Sequence, residues 1–234
     1  MKAVMAKEKD VRKLATDIRL FKSNLERYLE DSQKELSRYR SWEHCYVQFQ
    51  KAIISRKVDR DMLCLWLAWY LASWGMLHNS ELLNNNYKIH RSIVDAILDM
   101  DKKDLKLLNN LKCQDWLDDK ENCRNKLNEL YQEIRDKYEA LGVTGTDTLV
   151  TKVLLGTLGC IPAFDNLFKE GISGKANWHR RTLAVDYVTV LCKFYKKNEN
   201  SINKTLLSFH SSKGKATPYP QMKILDMGFW EKEK

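Results

Sequence analysis

The sequence predicts an all-α protein, and three observations carry that expectation. Only 9 Gly and 3 Pro occur in 234 residues, too few turn formers for a sandwich or a barrel. Apolar residues recur at helical steps of three and four, as in Val11, Leu14, Ile18, Phe21, Leu25 and Tyr28. Neither a βαβ pattern nor a repeat or low-complexity linker interrupts the chain. The expectation is one compact multi-helix domain over 1–234, with 1–140 and 141–234 as candidate lobes around a cleft.

The elements follow in order. The first stripe predicts a helix over about 9–36. Ser41, followed by Trp42 and Glu43, reads as the start of a second helix to Ile54. Asp59 starts a third, apolar on most sides, reaching Leu83 and stopped by Asn84, Asn85 and Asn86. Shorter helices are expected near 88–99 and 101–110, and a long one over 119–140 carries Leu127, Leu130, Tyr131, Ile134 and Tyr138 on one face. Asp147 reads as the cap of a helix ending near Leu158, and Pro162 as the opening of another to Glu170. A helix over 178–197 buries Leu183, Tyr187, Val190, Leu191 and Phe194. Pro218 and Pro220 mark a tail ending in the apolar stretch Met222–Trp230.

Hydrophobic residues at 44% and charged residues at 30% describe a globular chain, not a disordered one. The net charge of +9 makes a polyanion, DNA or RNA, the first partner to consider. Two basic segments flank an acidic middle: 15 Lys+Arg against 9 Asp+Glu in 1–60, 12 against 16 in 61–165, and 13 against 6 in 166–234. The longest apolar run, Met62–Leu77, is broken by Gly75 and is too short to span a membrane. With no apolar leader core after the first Met, a cytoplasmic location is expected. The six cysteines form no CxxC pair and no zinc spacing, so neither metal nor cofactor is expected.

The most informative stretch is Leu141-Gly142-Val143-Thr144-Gly145, a helix from Asp147, then Cys160-Ile161-Pro162-Ala163-Phe164-Asp165. A glycine turn before a helix exposes backbone N–H groups that accept a phosphate. Asp165, beside Ile161, Phe164 and Leu167, is a carboxylate placed to activate water or stabilise a developing cation. This arrangement resembles the helix-hairpin-helix DNA glycosylase superfamily over about 30 residues. The resemblance implies that Gly142 and Gly145 hold the DNA backbone and that Asp165 is the catalytic carboxylate. The family's hairpin proline is absent, and Thr146 and Asp147 stand where lyase members carry a lysine. The nearby Lys152 lies inside the following helix. A monofunctional enzyme using water is therefore implied, with Lys152 as the amine that a lyase route would need. Read from the residues alone, Asp165 is first a helix cap in an αα-turn.

Trp66, Trp69, Tyr70 and Trp74, with Asn79 and Asn84–Asn86 beyond, have the residue types of a base pocket, and Trp69 and Trp74 are its candidates. Their spacing also fits a helix core. Gly75 at the stripe's break suggests a close approach by backbone or ligand. Arg38 and His44 match the R-x4–6-H spacing of all-helical HEPN ribonucleases, the alternative enzymatic reading. Arg180 and Arg181, after Trp178 and His179, are candidate phosphate contacts. A non-catalytic alternative is an interaction protein that binds a partner through the stripe of helix 9–36.

Overall fold

The computed structural model describes residues 17–55, 58–78, 80–173, 184–205, 207–210 and 216–230. Eleven α-helices, two 3₁₀ turns and one small antiparallel strand pair, Ser208–His210 with Ala216–Pro218, make up these residues. The fold is all-α. Among the described residues, no helix is long and apolar enough to cross a membrane.

Helix α1 (Ile18–Gln33) is capped by Asp17, whose carboxylate accepts from the N–H groups of Arg19 and Leu20. Its stripe residues Phe21, Leu25 and Tyr28 are buried; Val11 and Leu14 lie outside the described residues. Helix α2 (Arg40–Ile54) is entered through a turn in which Arg40 N–H bonds Ser37 O and Ser41 N–H bonds Arg38 O. Ser41 is thus inside the helix and does not cap it. Helix α3 (Arg60–Ser73) is capped by Asp59, as expected, but stops well before Leu83. Gly75 adopts φ 76°, which brings the Met76 N–H onto Leu71 O at 2.9 Å. A Cβ on Gly75 would meet nothing within 4 Å, so this glycine serves the helix stop and not a close approach.

Two 3₁₀ turns (Glu81–Asn84, Tyr87–His90) lead to α4 (Arg91–Leu98) and α5 (Lys102–Leu108). A short helix that the apolar pattern did not reveal, α6 (Cys113–Asp118), precedes α7 (Lys120–Ala140). Helix α8 (Asp147–Thr157) is the centre of the molecule. Every residue from Leu149 to Thr157 is buried, and α2, α3 and α7 pack around it. Helix α9 (Asn166–Ser173) starts at Asp165 and not at Pro162. Helix α10 (Ala184–Ile202) covers part of the expected 178–197 helix; residues 174–183 lie outside the described set.

The expected apolar tail is instead a buried helix, α11 (Gln221–Phe229), packed along α1. Asn24 Nδ2 donates to Gly228 O at 3.2 Å across that contact. Trp42 Nε1 donates to Leu155 O at 3.1 Å, and Tyr219 OH donates to Glu43 Oε1 at 2.5 Å. These bonds join residues from both sides of position 140 around one hydrophobic cluster. All six cysteines are buried free thiols.

Candidate functional site

The hairpin between α7 and α8 forms where the glycines predict it. Gly142 takes φ 74°, and Val143 N–H bonds Tyr138 O at 3.0 Å, ending α7. The Gly142 N–H is spent on Glu139 O inside that stop. Gly145 is packed against α7, where an added Cβ would lie 2.7 Å from Arg135 Cγ. Thr146, and not Asp147, caps α8. Asp147 is the first helical residue and binds Arg135 Nη2 at 2.6 Å and the Tyr131 hydroxyl. The loop already faces one anionic group: Glu81 accepts from the Thr144 N–H at 3.4 Å and its hydroxyl at 3.2 Å. Backbone N–H donors, its own first and then that of Thr144, hold the Glu81 carboxyl below its ordinary value.

Beyond α8 the chain turns back, and Asp165 meets Lys152. Lys152 Nζ donates to Asp165 Oδ2 at 3.0 Å, while Asp165 Oδ1 accepts from the Phe168 N–H at 3.0 Å and caps α9. Lys152 is buried on the innermost face of α8, but the Asp165 side chain keeps 19% of its surface in solvent. Asp165 is therefore a cap whose second oxygen holds a buried ammonium, a role beyond capping.

A second buried pair lies close by. Lys223 Nζ donates to Asp226 Oδ2 at 2.7 Å, and Asp226 Oδ1 accepts from the Ala163 N–H at 3.0 Å. Burial pushes the Asp226 carboxyl above its usual range, with Lys223 opposing. Asp165 and Lys152 also act on Asp226, so the two pairs form one electrostatic unit. Aromatic rings surround it. The Lys223 ammonium is 4.6 Å from the Tyr28 ring centre, 5.1 Å from Trp42 and 5.5 Å from Trp74. Lys152 and Arg38 each stand 5.2 Å from Trp74. Three cations thus converge on one indole.

The predicted residues divide accordingly. Asp165, Lys152 and Trp74 are brought together. Trp69 is 58% exposed and faces away from them on α3. Gly142 and Gly145 build the hairpin. Arg180 and Arg181, with Trp178 and His179, lie outside the described residues, as does Asn79. Arg38 contacts Tyr39 and Trp74, whereas His44 lies against Trp66 at 5.8 Å, so the two have different neighbours. Half-burial, then Arg40, pulls the His44 imidazole below its ordinary value. The stripe of α1, expected as a partner surface, is covered by α11 over Phe21, Leu25 and Tyr28. Sequence reasoning missed Lys223, Asp226, Tyr28, Tyr39 and Trp230. The available signal was Lys223 and Asp226 one turn apart in an otherwise apolar stretch. Among the described residues, no group of His, Cys, Asp and Glu could hold a metal ion.

Set against protein-family models, curated proteins and solved structures, the chain matches none.

Proposed function

We propose that this chain acts on nucleic acid in the cytoplasm as a monofunctional DNA glycosylase-like enzyme, hydrolysing the N-glycosidic bond of a base. The observation that carries the reading is the Lys152–Asp165 pair. A partly solvated carboxylate is fixed by a buried ammonium and a helix N–H, directly after a helix–hairpin–helix and beside an aromatic cluster. When the glycosidic bond breaks, its electron pair leaves with the base and positive charge spreads over C1′ and the ring oxygen. A fixed carboxylate stabilises that charge, and water adds at C1′ while its proton goes to the departing base. The net charge of +9 supports attraction to the phosphate backbone. The ribonuclease reading lacks comparable support, because Arg38 stands over Tyr39 and Trp74 whereas His44 lies against Trp66.

The test is release of free base from modified-base duplexes. Asp165→Asn keeps a capping oxygen for Phe168 but loses the charge, so base release should fall on the order of 100-fold with shape and DNA binding retained. Binding should weaken as salt rises. Base release unchanged in the variant would reduce Asp165 to a cap. Strand cleavage without alkali, trapped by borohydride, would replace water with Lys152.

A further inference from the structure

A hollow of ≈ 420 Å³ opens where the end of α10, the strand pair and the start of α11 meet the residue before α6. That volume falls in the range of small-molecule sites, about 300–1,000 Å³. Its walls are of two kinds. Leu207, Pro218, Ile224 and the rings of Tyr195 and Tyr219 give an apolar side. Lys112, Lys204, Asn203, Thr205, Ser208 and Gln221 give a polar one. Among the described residues, no Asp or Glu lines it. Two other hollows with basic walls differ in this. Lys103, Lys106 and Lys126 share theirs with Asp104 and Asp115, and Lys34 and Arg38 share theirs with Asp31.

Both lysines of the hollow are unmatched. Among the described residues neither Lys112 nor Lys204 forms an ion pair, whereas Lys126 meets Asp104 and Glu129, and Lys196 meets Glu199. Lys112 is half-buried all the same, and its Nζ donates to a neutral acceptor, Asn110 Oδ1, at 3.1 Å. Burial pulls its ammonium below the ordinary value; Asp115, which opposes this, lines the hollow beside Lys103 instead. Half-burying a cation without a counter-charge costs free energy that a bound anion offsets. Glu199 acts on Tyr195 but is taken by Lys196. Asn203 Oδ1 accepts from the Tyr195 hydroxyl at 3.3 Å, so its Nδ2 is the end left to donate, beside the hydroxyls of Thr205 and Ser208.

We infer that this hollow binds a small organic phosphate, a phosphate monoester carried on an uncharged, largely apolar body. Two lysines match the double charge of a monoester, and the hydroxyls and the Asn203 amide supply further donors to its oxygens. The body lies against Leu207, Pro218 and Ile224, out of water. An inorganic anion would use only the polar wall, and a neutral ring only the apolar one. The inference does not rest on the glycosylase reading, since Asp165 is not among the walls.

The experiment titrates the full chain calorimetrically with phenyl phosphate, inorganic phosphate and phenol. Phenyl phosphate should bind at least about 10-fold more tightly than either of the others. Lys112→Gln and Lys204→Gln should each weaken its binding about 10-fold with thermal unfolding unchanged. Should Lys112→Gln fail to fold, the exposed Lys204 carries the test alone. Lys126→Gln, in the hollow that holds acids, should leave binding as it was. No binding of phenyl phosphate, equal affinity for inorganic phosphate, or equal losses in Lys126→Gln and Lys204→Gln overturns the site. Competition then separates the sources of the monoester. Displacement by a 5′-phosphorylated oligonucleotide, and not by its unphosphorylated twin, makes a strand end the ligand. Displacement by neither makes it a free small molecule. Displacement by both alike means general attraction to the backbone and overturns the site.

Discussion

Two lysine–aspartate pairs share one core and differ in access to water. The Asp226 side chain keeps 9% of its surface and its lysine 2%, while Asp165 keeps 19% against 4% for Lys152. Both aspartates use one oxygen for an ammonium and the other for a backbone N–H. The same chemistry is thus sealed at α11 and open at the start of α9. A sealed pair fixes structure, because neither charge survives without the other. A carboxylate that still meets solvent can meet a substrate, which is why the proposed reaction is placed on Asp165 and not on Asp226.

Substitutions should separate the pairs, beginning with the sealed one. Asp226→Ala leaves Lys223 buried without its counter-charge and Ala163 N–H without an acceptor. It should cost about 3–5 kcal/mol in denaturant unfolding. A cost below that of Asp165→Ala would break the contrast.

A buried titratable group with no charge partner gives the next effect. His90 bonds the Tyr138 hydroxyl at 2.8 Å, and burial pulls its imidazole down to about 4. The unfolded value is about 6.5. Between those values the unfolded chain binds a proton that the folded chain refuses, so stability falls as pH drops through the window. The loss should reach roughly 3 kcal/mol by pH 4. Asp226, with its raised carboxyl, has the opposite sign. The difference in slope between wild type and His90→Gln therefore isolates the histidine; parallel slopes would contradict its buried, neutral state.

Asp165→Ala should cost less, about 1–2 kcal/mol. The cap is lost, but water can reach the Lys152 ammonium through the gap that the carboxylate leaves. Trp69→Ala marks the lower end: with most of its surface in solvent, stability should stay within about 0.5 kcal/mol. A larger change in thermal unfolding would mean that Trp69 packs more than its exposure shows.

The hairpin was legible because its signals are local. Gly142 and Asp165 each act within a few residues of themselves, as helix stop and cap, and residue type and spacing suffice to place them; the cap of α8 falls to Thr146, one residue before the Asp147 that the sequence suggested. The end of α3 was less legible, since Leu77, Leu82 and Leu83 continue the apolar run beyond Gly75 and hide the stop. The cluster of rings and cations around Trp74 was not legible at all. Tyr28 reads as one more stripe residue, and Lys223 and Asp226 lie inside what reads as the apolar end of a tail. Only long-range packing shows that the tail is a core helix whose charges point inward. Trp74 was named for its residue type, but the three cations around it come from α11, α8 and the turn before α2, which no window of sequence contains.

The pairing of α1 with α11 sets the order of biogenesis. Asn24 bonds Gly228, and Tyr28 waits for Lys223, across nearly the whole described chain. During synthesis the stripe of Phe21, Leu25 and Tyr28 emerges before α11 and must remain uncovered until α11 is made. The nascent chain therefore carries a sticky helix while the residues between α1 and α11 are added, a natural substrate for holding chaperones and a starting point for aggregation when production outruns them.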